Sequence, residues 1–470
     1  MTIVVGVDIG STNTKVVLID AVDSGRAVWT GRAATPADPS SLKAVISRLL
    51  KAATATTRLP VAAIGISSMA ETGVPIDGQG VALSAFLRWD RMHNRDVLGR
   101  VLERHPDLPL RSGIPATPKP ALMTLLGLRE HAPEIHARLA QWRGVADVVV
   151  EALTGRHATD HTLAARTMML DTRVQHEHRW DTALLDEAGI SEQVLPRIVH
   201  AGEPAGMTGH AAAGFGLGRD IPVYIAGHDH AVGAWAAGAR GVGDMADSLG
   251  TAEALLAVTD RPDPRAVADG LSIGRTVDDR HFTVMAGNPA CGGLLAEWPG
   301  DVLGHLSRLS GEAWDTTPAV ILPYPRGRQC PAPDPTARLR VLGEDEADVP
   351  RALLQSLVLH SAWMRRTVER VTGARADRVV LLGSLTDRIP VWASLTAAMG
   401  TTPVRRCTSS EPVAAGAALL AAVRAGLAPE PAVLETEPVV PCRAEGLDAA
   451  YDRFVTHALS DPTHPLEGDS

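Results

Sequence analysis

The run from Asp8 to Lys15 (Asp-Ile-Gly-Ser-Thr-Asn-Thr-Lys) holds what a bound phosphate needs. Gly10 lets the backbone approach a ligand closely. Ser11, Thr12, Asn13 and Thr14 offer hydroxyl, amide and N–H groups, and Lys15 brings a positive charge. Asp8 can hold a magnesium ion through water. The same run also reads as an ordinary polar hairpin turn. A second turn, Asp247-Ser-Leu-Gly-Thr-Ala252, offers the same chemistry through Gly250 and Thr251, and two such turns fit a nucleotide clamped from two lobes. The third stretch is Gly227-His-Asp-His230. Its carboxylate, Asp229, sits between an apolar strand and a small-residue helix, where it can take the proton of an attacking hydroxyl. Two other readings stand beside this one. Asp229 can cap the helix, or His228, Asp229 and His230 can bind a metal, although adjacent side chains tend to point apart.

Alternating apolar segments position these stretches. Residues 3–9 (IVVGVDI) and 16–19 read as the two strands of a hairpin around the first turn, and Val61–Ser67 as a buried strand. Residues 40–54 have helical spacing, with Leu42, Val45, Ile46, Leu49 and Leu50 on one face. Prolines 106, 109, 115, 118 and 120 predict loop over 105–120, and residues 121–155 read as helix broken near Pro133. The strand-like IPVYIAG ends a loop-rich stretch and leads into the helix AVGAWAAGA, where Trp235 reads as a core or cleft-wall residue, as does Trp298 further on. In the second half, 351–373 reads as an amphipathic helix, Arg378–Leu382 as a strand feeding Gly383, and Glu411–Ala425 as an alanine-rich helix. The tail after Leu427 reads as peripheral. Strands alternating with helices indicate α/β architecture.

At 470 residues the chain calls for two domains, and 45% hydrophobic residues exclude a disordered protein. A net charge of −9 without a basic stripe argues against nucleic acid. The four cysteines form no CxxC pair, which fits reduced thiols in the cytoplasm. The start reads as strand and turn rather than as a signal peptide, and no apolar run reaches the roughly 18 residues of a membrane span.

Taken in order, the motifs resemble the FGGY family of carbohydrate kinases, with its xylulokinase-like, gluconokinase-like and glycerol kinase-like members. VVGVDIGSTNTKVVLID looks like the family's first phosphate turn, and DSLGTAE like its second. IGISSMAETGVPID and FLRWDRM are similar to its substrate segments, and LTGRHATDHTLAARTMMLD resembles its LTG…TD…S-x-A stretch. PVYIAGHDHAVGAWAAGA looks like the segment with the catalytic base. VVLLGSLTDRIPVWASLTAAMGTTPV, followed by EPVAAGAALLAAVRAG, is similar to the adenosine-binding region.

The resemblance implies a two-lobed, actin-like ATPase fold of the ribonuclease H-like kind with an interdomain cleft. Residues 1–238 would form the substrate and base lobe and 239–470 the nucleotide lobe. It implies ATP and Mg2+, a small sugar, sugar acid or polyol as acceptor, and a homodimer as one possible assembly. Asp229 falls on the general base, and Asp8, Gly10, Thr12 and Lys15 on the first phosphate turn and its metal site. Gly250 and Thr251 fall on the second turn, and Gly383, Ser384 and Leu385 on the adenosine loop. Glu71, Met69 and Asp90 fall on substrate positions. Glu71 also reads as a surface cap or ion pair, Asp90 as a partner of Arg88 or Arg91, and Met69 as packing. The sequence departs from the family pattern in places. Ala70 stands where the glycerol kinase pattern has arginine, and Trp89 directly precedes Asp90. The adenosine loop is Gly-Ser-Leu instead of Gly-Gly-Gly, with Ser394 and Ala397-Ala398 in the helix after it. That loop leaves a degenerate, non-catalytic sugar- or nucleotide-binding protein as the alternative. A metal-dependent hydrolase built on His228–His230 and a chaperone-type ATPase are further alternatives.

Overall fold

The computed structural model describes residues 1–21, 26–90, 94–171, 178–309, 311–343, 348–428 and 432–460. The chain forms two compact units. The first comprises Met1–Gly238, Gly274–Phe282 and Glu411–Leu434; the second comprises Ala239–Ile273, Thr283–Ser410 and Glu435–Ser470. Two segments from beyond the expected boundary at 238/239 pack into the first unit.

In the first unit the β-branched runs form a central six-stranded sheet. Its order is Ala27–Ala34, Asn13–Asp20, Ile3–Ile9, Val61–Ser68, Pro222–His228 and Gly206–Met207. Ile3–Ile9 pairs antiparallel with Asn13–Asp20 and parallel with Val61–Ser68, and Pro222–His228 adds a further parallel strand. All seven residues of Ile3–Ile9 are buried, as expected for a strand covered on both faces. The helix Pro39–Thr54 starts on an Asp38 cap and buries Leu42, Ile46, Leu49 and Leu50, matching the predicted stripe.

The other cover is the alanine-rich helix Pro412–Arg424, which lies on the strands Ile3–Ile9 and Val61–Ser68. The approach is close enough to require glycine below it. A Cβ on Gly6 would lie 1.8 Å from the Ala414 carbonyl oxygen, and one on Gly65 would lie 1.9 Å from that of Ala417. This helix, which the resemblance groups with the adenosine region, packs into the first unit.

Two further expectations change here. The proline-rich stretch contains a short helix, Leu108–Ser112, because Pro109 falls in its first turn, where no N–H is needed. The predicted long helix is split into Ala121–His131, Pro133–His136 and Val145–Thr154, with the strand Gln141–Gly144 inserted to pair with Gly73–Ile76.

The second unit repeats the plan with a seven-stranded sheet. Its hairpin Asp244–Leu249/Glu253–Thr259 lies beside the parallel strand Arg378–Leu382. The 24-residue helix Val349–Thr372 spans its core, with Leu353, Leu354 and Leu357 fully buried. The tail is not peripheral. Its helix Leu447–Leu459 packs against Val349–Thr372 and buries Phe454 completely.

Candidate active site

In the first unit, the turn Gly10–Thr12 connects the two hairpin strands. Gly10 N–H bonds to the Asn13 carbonyl at 3.0 Å, and the Thr35 hydroxyl donates to the Gly10 carbonyl at 2.8 Å. Arg88 Nη1 donates to the Ser11 carbonyl at 3.2 Å. The hairpin register sets Asp8 opposite Lys15, whose Nζ lies 3.1 Å from Asp8 Oδ2 and 3.3 Å from Glu411 Oε2. Burial pushes Asp8 up to about 6; Lys15 opposes this, while Asp229 and Glu411 add to it. Burial alone would lower Lys15, but Asp8 and Glu411 outweigh it and push the ammonium up to about 12. Asp8 Oδ1 is buried and has no hydrogen-bond partner among the described residues. A buried carboxylate with an orphaned oxygen and a second carboxylate near it is a donor set that suits a hard divalent cation.

Asp229 is the first residue of the helix Asp229–Ala236, and His228, not Asp229, occupies the cap position. Its Oδ1 accepts the His230 N–H at 2.7 Å and lies 3.1 Å from His228 Nε2 and 4.0 Å from His230 Nε2. Burial raises this carboxyl, but His230, His228, the His230 N–H and Lys15 together hold it below the usual range. Burial lowers His228 to about 4, against the pull of the Asp229 carboxylate beside it. The strand-to-helix junction brings ligand atoms of His228, Asp229 and His230 within 4.8 Å of one another, so these neighbours do not point apart as expected.

The substrate candidates divide. Glu71 sits at φ +63°, an uncommon conformation for a residue with a side chain, and pairs with Arg166. Met69 is 6% exposed and packs in the core, while lining with Glu71 a pocket that reaches Trp142, Asp147 and Trp180. Asp90 forms a two-pronged ion pair with Arg88, at 3.1 and 2.9 Å, so it orients the arginine that reaches the first turn. Arg91, its other expected partner, lies outside the described residues. Trp235 is buried, 4% exposed, and Trp298 packs partly buried against the second unit's core.

In the second unit, Gly250 N–H bonds to the Ala252 carbonyl, while the carbonyls of Gly250 and Thr251 accept the N–H groups of Gly292 and Gly293 at 3.0 and 2.9 Å. Gly383, at φ +99°, packs against the Leu249 backbone, where a Cβ would meet its carbonyl oxygen at 2.2 Å. The structure thus gathers Gly250, Thr251, Gly383 and Ser384 at one end of this sheet and adds Gly292 and Gly293. Leu385 is buried in the core, 4% exposed, and its carbonyl accepts the Ile389 N–H at 2.9 Å. Sequence reasoning missed Glu411, Arg166 and the glycine pair. Only the adjacent glycines of Cys291-Gly-Gly293 carried a local signal.

Beneath the second turn, Asp247 and Glu253 are buried side by side, and Ser361 donates to Asp247 Oδ2 at 3.1 Å. Burial pushes Asp247 up to about 7 and Glu253 well above its usual value, and the two resist ionising together. A carboxyl raised by folding binds more protons folded than unfolded, so stability falls as pH climbs from about 4 to about 7. Asp247→Asn keeps the Ser361 bond and removes one charge. Thermal unfolding at pH 5 and pH 8 should show the variant gaining on the wild type by on the order of 1–2 kcal/mol at the higher pH. An equal difference at both pH values would contradict this pairing.

Two sheets of this kind, each opening with a hairpin turn of small polar residues beside a parallel strand, constitute a two-domain actin-like ATPase fold. Residues 3–236 match the N-terminal domain and residues 245–425 the C-terminal domain of the FGGY family of carbohydrate kinases, and the chain belongs to that family. It is therefore a phosphotransferase of the carbohydrate kinase class. It is 23% identical over 448 residues to the L-fuculokinase of Salmonella typhi, covering 89% of this chain and 91% of the relative. It is 24% identical over 466 residues to the xylulose kinase of Escherichia coli K12, covering 95% and 94%. The crystal structure of gluconate kinase from Lactobacillus acidophilus superposes with a TM-score of 0.83 at 19% identity, covering 97% of this chain and 96% of that one, a likeness of fold. Among the described residues no helix is long and apolar enough to cross a membrane.

Proposed function

We propose that the protein transfers the γ-phosphoryl group of ATP to a hydroxyl of a small sugar, sugar acid or polyol, with Asp229 as general base. The observation that carries this reading is the placement of Asp229 at the end of a buried parallel strand, beside the Asp8–Lys15 pair of the first phosphate turn. A carboxylate held below the usual range is ionised throughout the neutral region and ready to accept a proton.

Glu71, fixed by Arg166, orients acceptor hydroxyls. Asp229 takes the proton of the attacking hydroxyl as its oxygen bonds to phosphorus and the bond to the leaving ADP breaks. Lys15 and the backbone N–H groups of the first turn offset phosphate charge, and the second turn offers Gly250 and Thr251 for the same role. Asp8 would hold Mg2+, which would supply neutralisation of the phosphate charge. The loop Gly383, Ser384 and Leu385 meets the adenosine.

The test is a coupled assay of ADP release with ATP and magnesium across ketoses, polyols and sugar acids of three to six carbons, including L-fuculose, D-xylulose, glycerol and D-gluconate. One acceptor is expected to stand well above the rest. ADP release that is equal with and without every acceptor would contradict the reading.

A further inference from the structure

We infer that Thr162 and Asp160 are positioning residues for the base, acting through the Gly227–His228 peptide, one residue before it. The inference rests on Asp229 being that base. The strand Pro222–His228 shifts register against Val61–Ser68 between Ile225 and Gly227, so an irregularity directly precedes its last peptide. Side chains hold that peptide from both ends. The Ser67 hydroxyl donates to the Gly227 carbonyl at 2.9 Å. On the opposite edge of the same peptide plane, the His228 N–H donates to Thr162 Oγ1 at 2.8 Å. Thr162 in turn donates its hydroxyl hydrogen to Asp160, whose two carboxylate oxygens lie 3.1 and 3.0 Å away. Asp160 is fixed by accepting the Leu163 N–H at 3.0 Å.

Ser67, Thr162 and Asp160 are all buried, at 0%, 6% and 2% exposure. Gly227 leaves the space they need. A Cβ there would lie 2.5 Å from Thr162 Oγ1 and 3.1 Å from Asp160 Oδ2, and φ is +128°. The peptide plane between Gly227 and His228 sets the direction in which the chain enters Asp229. Releasing one edge lets the plane rotate and carries the carboxylate off line. A misplacement of about 1 Å in a reacting group is enough to cost on the order of a hundredfold in rate. The hydroxyl of Thr162, not its methyl group, does this work.

The experiment compares Thr162→Val, which keeps the volume and loses the hydroxyl, with Thr162→Ser, which does the reverse. ADP release is followed with ATP, magnesium and whichever of L-fuculose, D-xylulose, glycerol or D-gluconate the wild type phosphorylates fastest. Thr162→Val is expected to lower kcat by about 10- to 100-fold with both KM values within about twofold. Thr162→Ser should recover most of the loss. A wild-type kcat in Thr162→Val, or a Thr162→Ser variant as impaired as Thr162→Val, overturns the inference. If Thr162→Val does not fold, Ser67→Ala reads the same peptide from its other edge. A reduced kcat with unchanged KM supports the inference, and an unchanged kcat overturns it. Asp229→Asn is assayed alongside. Full activity there removes the base and the inference together, whereas an inactive Asp229→Asn with a normal Thr162→Val removes the inference alone.

Discussion

Asp229→Asn is expected to lower kcat for phosphoryl transfer by about 10²- to 10⁴-fold while KM for ATP stays within about twofold. Asparagine has the same shape and can still accept the His230 N–H that Asp229 Oδ1 accepts at 2.7 Å. What it loses is the ability to take a proton. The pH profile adds a second reading. His230, His228, the His230 N–H and Lys15 hold Asp229 below the ordinary carboxylate range despite its burial. A base is active in its ionised form, so wild-type activity attributable to Asp229 falls only as pH drops through that lowered value. Loss of the base should therefore depress the rate evenly across neutral pH without moving an acid limb into it. The check is steady-state kinetics on both proteins from pH 5.5 to 8.5, and a variant within about tenfold of wild type would remove Asp229 from the role.

The second large effect concerns the frame that carries the first turn. Gly65→Ala is expected to destabilise the protein by about 3 kcal/mol or more, or to prevent folding. The added methyl would sit 1.9 Å from the Ala417 carbonyl oxygen and 2.5 Å from its carbon. These are backbone atoms of a helix, so no side chain can rotate out of the way. The whole of Pro412–Arg424 must rise from the sheet, and Glu411, just before that helix, moves with it and leaves Lys15. Gly78→Ala is the control, because a Cβ at Gly78 meets nothing within 4 Å. Urea denaturation of the pair should separate them clearly. Equal stability would mean that the helix does not rest on that glycine.

The sequence made local features legible. The first hairpin, the second polar turn, the strand Val61–Ser68 and the helices Pro39–Thr54 and Val349–Thr372 follow from periodicity and turn chemistry that act over a few residues. The junction at Asp229 was legible for the same reason, since an apolar run stops where small residues begin. What escaped were features set by partners distant in the chain. Lys15 meets Glu411 nearly 400 residues later, and the helix after Glu411 reads as a generic alanine-rich helix until Gly6 and Gly65 are seen beneath it. The tail looked polar because prolines and acids outnumber the few residues, Phe454 among them, that are buried in the second unit's core. Asp90 had two possible cationic partners in sequence, and only its geometry identifies the pairing with Arg88. Thr162 carried no signal of its own, since a buried hydroxyl in the first turn of a short helix has many ordinary uses.

The most direct test of the account is to follow product formation by phosphorus NMR. Wild type and Asp229→Asn would be incubated with ATP, magnesium and the best acceptor from the panel, with ATP binding measured on both. The account predicts a new sugar phosphate resonance accumulating in step with ADP for the wild type. For the variant it predicts none over the same period, although ATP still binds. A sugar phosphate formed at the wild-type rate by Asp229→Asn would contradict the central claim.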